Sequence, residues 1–133
     1  MFSMEKRGRS AFRLTINKAI LRAMNIHPDA FADEQKSAWI SELDGKIALE
    51  TMHLSKFEEY EFPQDAEKEL LVKSPYDNIY ELYIIAMGDF HSGETASYAS
   101  SASMFMRAYE EFRKNYIRTH MPLVELSSSF GYS

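Results

Sequence analysis

The sequence predicts an all-α fold: a compact bundle of about four helices, with a long irregular connection between the second and third and flexible termini. Three observations predict it. Apolar residues recur at spacings of three and four in separate stretches between residues 16 and 118. An almost wholly apolar run, 76–92, and an aromatic-striped run, 95–118, follow one another across a turn at Gly93. Pro28, Pro75, Gly93 and Pro122 stand at the boundaries, where helices stop. At 133 residues the chain suits one domain. A hydrophobic content of 45% supplies a core and argues against long-range disorder. The expected organisation is a basic N-terminal arm over 1–13, a helical domain over 14–122 and a C-terminal tail over 123–133.

Thr15 is the expected N-cap of the first helix, Ile16–Met24. Ile16, Ala19, Ile20 and Ala23 share one face, and the Asn25-Ile26-His27-Pro28 segment ends the helix. Asp33 is the expected cap of a second helix over Glu34–His53. Its apolar stripe is Trp39, Ile40, Leu43, Ile47 and Met52, with Ser41, Glu42, Asp44 and Lys46 mostly on the other side. Gly45 inside this helix costs about 1 kcal/mol against alanine and suits close packing.

Residues 54–75 mix acids with aromatics and contain Pro63 and Pro75. They read as a long connection, with a short helical turn or brief strand over Glu67–Val72. Glu58, Glu59, Glu61, Asp65, Glu67 and Glu69 give it an acidic surface, whose ordinary role is solvation and whose sharper alternative is an assembly contact. Connections this long are usually functional or mobile.

The third helix is expected over Tyr76–Ser92. It leaves almost no polar face, so it is expected to be buried by the core and by a neighbouring subunit together. Gly93 suits the position after it. The fourth helix, from Thr95 or Ser97 to about Arg118, carries Tyr98, Ala102, Phe105, Tyr109, Phe112 and Tyr116 at alternating spacings of four and three. That pattern predicts packing against the third helix. The expected core is Trp39, Leu43, Ile47, Leu82, Ala86, Tyr98, Phe105, Tyr109, Phe112 and Tyr116. The expected subunit or partner interface is Tyr80, Ile84 and Met87 on the third helix, with Phe57, Tyr60 and Phe62 from the connection. The tail, LVELSSSFGYS, has no helical period and reads as disordered or as an arm that docks on another chain.

Several chemistries are disfavoured. There is no cysteine, hence no disulfide, thiolate metal site or cysteine nucleophile. No apolar run approaches the roughly 20 residues that span a bilayer, and the N-terminus does not read as a signal peptide. No phosphate-binding loop, dinucleotide fingerprint or nucleophile elbow occurs. His27, His53, His91 and His120 stand at element boundaries, with no i, i+4 pair. Asp89, His91 and Glu94 are the nearest thing to a metal cluster, and such a cluster more often hydrogen-bonds a helix terminus. The expectation is a non-enzyme with no catalytic residue, metal or cofactor.

Charge is unevenly placed. Residues 1–22 hold six Lys/Arg and one acid, a formal +5, while the remainder holds nine basic and nineteen acidic residues, −10. Nucleic-acid binding by the main body is therefore disfavoured. The basic arm is expected to be a solvated tail or to touch an acidic partner or DNA. None of the helices offers a convincing recognition face; the first has Lys18 and Arg22 but is short.

Three pieces of sequence carry a resemblance. The first is Phe31-Ala32-Asp33-Glu34-Gln35-Lys36 followed by Trp39 to Ile47. The second is Leu70-Leu71-Val72, then Pro75-Tyr76-Asp77 and Tyr80. The third is Gly93-Glu94 and Tyr98, then Phe105, Ala108-Tyr109, Phe112, Tyr116 and Arg118-Thr119-His120-Met121-Pro122. Over roughly Leu14–Pro122 the chain resembles the head–tail connector (adaptor, or head-completion) proteins of phages and prophages of Gram-positive bacteria. It departs from them at Ala99, Ser100 and Met106, where asparagines are frequent, and in its basic arm and its Phe130-Gly131-Tyr132 tail.

The resemblance implies a virion structural protein, located in the virion and, during assembly, in the bacterial host cytoplasm. It implies a homo-oligomeric ring beneath the portal protein that joins the capsid to the tail or stopper protein. DNA passes through the channel without specific binding, which an acidic body favours by repelling phosphate. The alternative is a small helical interaction or regulatory module of mobile-element origin. A metal- or carboxylate-dependent enzyme is a third reading, and it needs a convergent site around His91.

Overall fold

A computed structural model of the protein describes residues 13–120. It has four helices: α1 Ile16–Ile26, α2 Asp33–Lys46, α3 Ile79–Ser92 and α4 Thr95–His120, with α2 running on into a π-helical turn, Ile47–Thr51. Among the described residues there is no strand, only an isolated antiparallel bridge between Thr15 and Glu69. No described helix is long and apolar enough to cross a membrane. The arm and tail expectations for 1–12 and 121–133, Pro122 included, lie outside the described residues.

α1 begins as its sequence dictates. The Thr15 hydroxyl accepts from the Lys18 amide at 3.2 Å, and Ile16, Ala19, Ile20 and Ala23 are all buried. Thr15→Ala is expected to cost about 1 kcal/mol, the usual loss for an N-cap, readable as a lower urea midpoint at unchanged slope. Arg13, assigned above to the arm, belongs to the domain. Its Nε donates to the Leu70 carbonyl at 3.0 Å, fastening the chain entry to the connection.

α2 differs from expectation in three ways. Asp33 lies inside it, and the cap position falls to Ala32, which offers no side-chain acceptor. Its last turn widens into a π-helix that ends at Thr51, and His53 follows with a left-handed φ of 57°. Most consequentially, Ser41 and Asp44 do not face solvent. Lys36, Ser37, Ile40, Asp44, Ile47 and Thr51 form one buried stripe at helical spacing; the loop before α2 meets it at Lys36, and the connection and α3 meet it at Asp44. Gly45 serves this arrangement: a Cβ there would stand 3.3 Å from the ring of Phe57, so the glycine admits the connection rather than another helix.

α3 is central, packing against α1, α2 and α4. It starts at Ile79 rather than Tyr76, since 73–78 is taken up by tight turns in which Tyr76 N–H donates to Lys73 O and Tyr80 N–H to Asp77 O. Tyr80 and Ile84 are fully enclosed and Tyr60 is nearly so. These three are therefore core residues, which corrects their assignment to a partner surface. The three helices and the connection already surround α3, so its apolar girth needs no neighbour there. Met87, Phe57 and Phe62 are half-buried against the core.

Gly93 ends α3 in the left-handed region, φ 74°, and turns the chain into α4. α4 packs on α3 and on the π-helical turn, not on α1 or the body of α2. Trp39, Leu43, Ile47, Ala86, Phe105 and Phe112 are buried, while Leu82, Tyr109 and Tyr116 are half-buried beside them. Tyr98 is 37% exposed, contrary to its place in the expected core. It sits at the Gly93 elbow, where its ring meets only the edge of the bundle and the exposed Phe90, at 5.5 Å.

Candidate functional site

The side chains that do the most specific work in this protein converge on Asp44. The α2 helix carries its carboxylate inward, where no solvent reaches it. Tyr80 Oη of α3 donates to Oδ1 at 2.6 Å; Tyr60 Oη and the Leu71 amide, both from the connection, donate to Oδ2 at 2.6 and 3.2 Å. Tyr80 Oη in turn accepts from the Val72 amide at 2.9 Å, and Ser41 Oγ accepts from the Tyr60 amide at 2.9 Å. One buried carboxylate thus pins both halves of the 54–75 connection to α2 and α3. Burial pushes the Asp44 carboxyl above its ordinary range, with the hydrogen bonds from Tyr60, Tyr80 and Leu71 opposing that rise. Burial and the neighbouring carboxylate hold both phenols protonated, as donors must be. The chemistry is that of a clamp, because every group at the centre is spent on another.

A second buried charge secures the loop before α2. Lys36 Nζ is wholly enclosed and lies 2.7 Å from Asp29 Oδ1, an electrostatic contact poorly aligned for a hydrogen bond. Asp29 Oδ1 also accepts from the Phe31 amide at 3.0 Å. On the other flank Arg22 of α1 reaches Glu81 at 3.3 Å and Asp77 at 3.6 Å. Burial raises the Glu81 carboxyl, which the Arg22 guanidinium opposes.

The residues singled out for metal do not converge. Asp89 is buried and accepts from Ser101 Oγ at 2.8 Å, tying α3 to α4. His91 lies flat against Trp39, centroids 5.4 Å apart, and Glu94 is exposed at the elbow. Among the described residues no group of three His, Cys, Asp or Glu could hold a metal ion.

Two outward surfaces remain. The clamped connection presents Glu58, Glu59, Glu61, Glu67 and Glu69 to solvent, and Asp65 partly so, with its carboxylate accepting from the Glu61 amide at 2.8 Å. α4 buries only Ser101, Phe105 and Phe112, and on its outer side exposes Met104 and Met106 at 51% and 53%. Phe90 and Tyr98 extend the exposed apolar surface at the elbow. Of the expected interface residues, Met87, Phe57 and Phe62 remain partly accessible; Met87 lines a shallow hollow of about 650 Å³ with Trp39, Glu42, Glu59, Phe90 and His91.

Sequence reasoning missed Asp44, Ser41 and Lys36. The signal was present in their register: 36, 40, 44, 47 and 51 lie at steps of four, four, three and four, so Lys36 and Asp44 share the face of Ile40 and Ile47. Comparisons with protein-family models, with curated proteins and with solved structures return no match for this chain.

Proposed function

We propose that this chain is a head–tail connector, a virion structural protein that assembles as a ring under the portal and joins the capsid to the tail. One observation carries the reading beyond the sequence resemblance. The pieces that bear the resemblance meet in space as a single mechanical unit. Asp44 of the first piece is hydrogen-bonded to Leu71 and Tyr80 of the second, and Tyr80 to Val72. Phe105 and Phe112 of the third are buried in the same core. A clamp of this kind suits a part whose work is to hold a shaped surface rigid against neighbours. Its buried polar groups are consumed by each other rather than turned toward a substrate, which favours a structural role over a catalytic one.

In this reading the portal lies on one side of the ring and the tail or stopper protein on the other. The net acidity of the body, −10 over residues 23–133, keeps phosphate from sticking while DNA slides past. Disrupting the coding sequence in a particle-producing host tests the proposal. The expected result is DNA-filled heads without attached tails, restored by the chain supplied in trans; normally tailed particles lacking the protein would overturn it.

A further inference from the structure

We infer that copies of this chain join head to tail through charge, the outer stripe of α4 in one copy seating on the acidic connection of the next. The inference rests on the assembly reading above and names the surfaces that make it. On α4, Met104, Arg107, Glu111, Lys114 and Arg118 recur at spacings of three and four, all exposed, opposite the face that carries Phe105 and Phe112. The stripe is basic and makes no ion pair among the described residues: the one α4 ion pair there, Arg113 to Glu110 at 3.2 Å, lies off it. Over the length from Met104 to Arg118, about 21 Å of helix, nothing in the described chain covers it.

The complementary surface is residues 58–69, six carboxylates against the single Lys68. It is preformed, held by the Tyr60 bonds to Ser41 and Asp44 and by the amides of Ile16 and Asn17 donating to Lys68 O and Ala66 O. The two surfaces do not compete for one place. The acidic stretch 58–69 is fixed to α1 and α2, whereas among the helical elements α4 packs on α3 and the π-helical turn. Like surfaces repel, so neither supports a two-fold dimer through itself; unlike surfaces at separate places on one molecule give a heterologous contact, which closes into a ring when the rotation allows.

The test is a charge exchange on the full-length chain. One variant, R107E/K114E/R118E, makes the stripe acidic; the other, E58K/E59K/E61K, makes the connection basic. All six positions are exposed, and circular dichroism verifies the fold. Sedimentation velocity at low salt should show wild-type self-association that weakens with salt. Each variant alone should associate at least about tenfold more weakly. Their equimolar mixture should recover, because each acidic stripe then finds a basic connection and each basic stripe an acidic one. The neutral variant R107Q/K114Q/R118Q should fall between and stay unrescued. Variants that associate like the wild type, a mixture that does not recover, or a wild type monomeric throughout would each overturn the inference. So would salt-sensitive retention of duplex DNA lost on reversing the stripe, which would assign it to nucleic acid.

Discussion

Replacing Asp44 with alanine is expected to lower the unfolding free energy by about 3–5 kcal/mol, the range for removing one member of a buried charged network. The loss comes less from the missing carboxylate than from what stays behind. Tyr60 Oη, Tyr80 Oη and the Leu71 amide would all be left facing an empty acceptor position inside the core. With total stabilities of about 5–15 kcal/mol, that is at least about a fifth of the fold. Asp44→Asn keeps one acceptor and its shape, so its cost is expected to fall well below that of alanine. Urea unfolding of the three proteins measures the series.

The same residue sets a pH dependence. The folded carboxyl holds its proton more tightly than the usual value of 3.8. Its contribution is therefore fully present below the ordinary carboxylate range and declines as pH rises through the raised folded value. The advantage of aspartate over asparagine should be largest below about pH 4 and shrink toward neutrality. A gap that widened with pH would mean that the three donated hydrogen bonds outweigh burial.

The second large effect concerns Lys36 and is asymmetric. Asp29→Ala leaves an enclosed ammonium without its anion and is expected to cost about 2–4 kcal/mol. The figure sits toward the low side because Asp29 keeps 16% of its side chain in water. Lys36→Met fills the same space with an apolar chain and leaves Asp29 with some water and the Phe31 amide, so it is expected to cost less, about 1–2 kcal/mol. Adding it to Asp29→Ala should recover most of the loss. Thermal denaturation of the two single variants and the double variant settles the order; equal losses from both single variants would show that the pair stabilises as a pair.

These two clusters also show where the sequence could and could not be read. α1 was legible to the residue at its start, because Thr15 and the Ile16–Ala19–Ile20–Ala23 face obey local rules that need no partner. The elbow at Gly93 was legible for the same reason. Asp44 and Lys36 were not, since hydropathy sorts charges outward and their partners arrive from elsewhere, Tyr80 from 36 residues away. The assignment of Tyr80 and Ile84 to an interface failed by the converse error. An all-apolar helix in a small chain looked too large to cover, yet α1, α2, α4 and the connection together enclose Tyr80 and Ile84. The acidic connection was legible as a charged patch. That it is clamped, and so able to act as a fixed surface, depends on tertiary hydrogen bonds that no local pattern announces.

Ring assembly is the step on which the proposed function depends. Negative-stain electron microscopy of the purified, concentrated protein, alone and with the proposed portal partner, tests it. Closed rings with a central hole wide enough for duplex DNA, free or seated on the portal, are expected. Particles of monomer or dimer size in both preparations would contradict it.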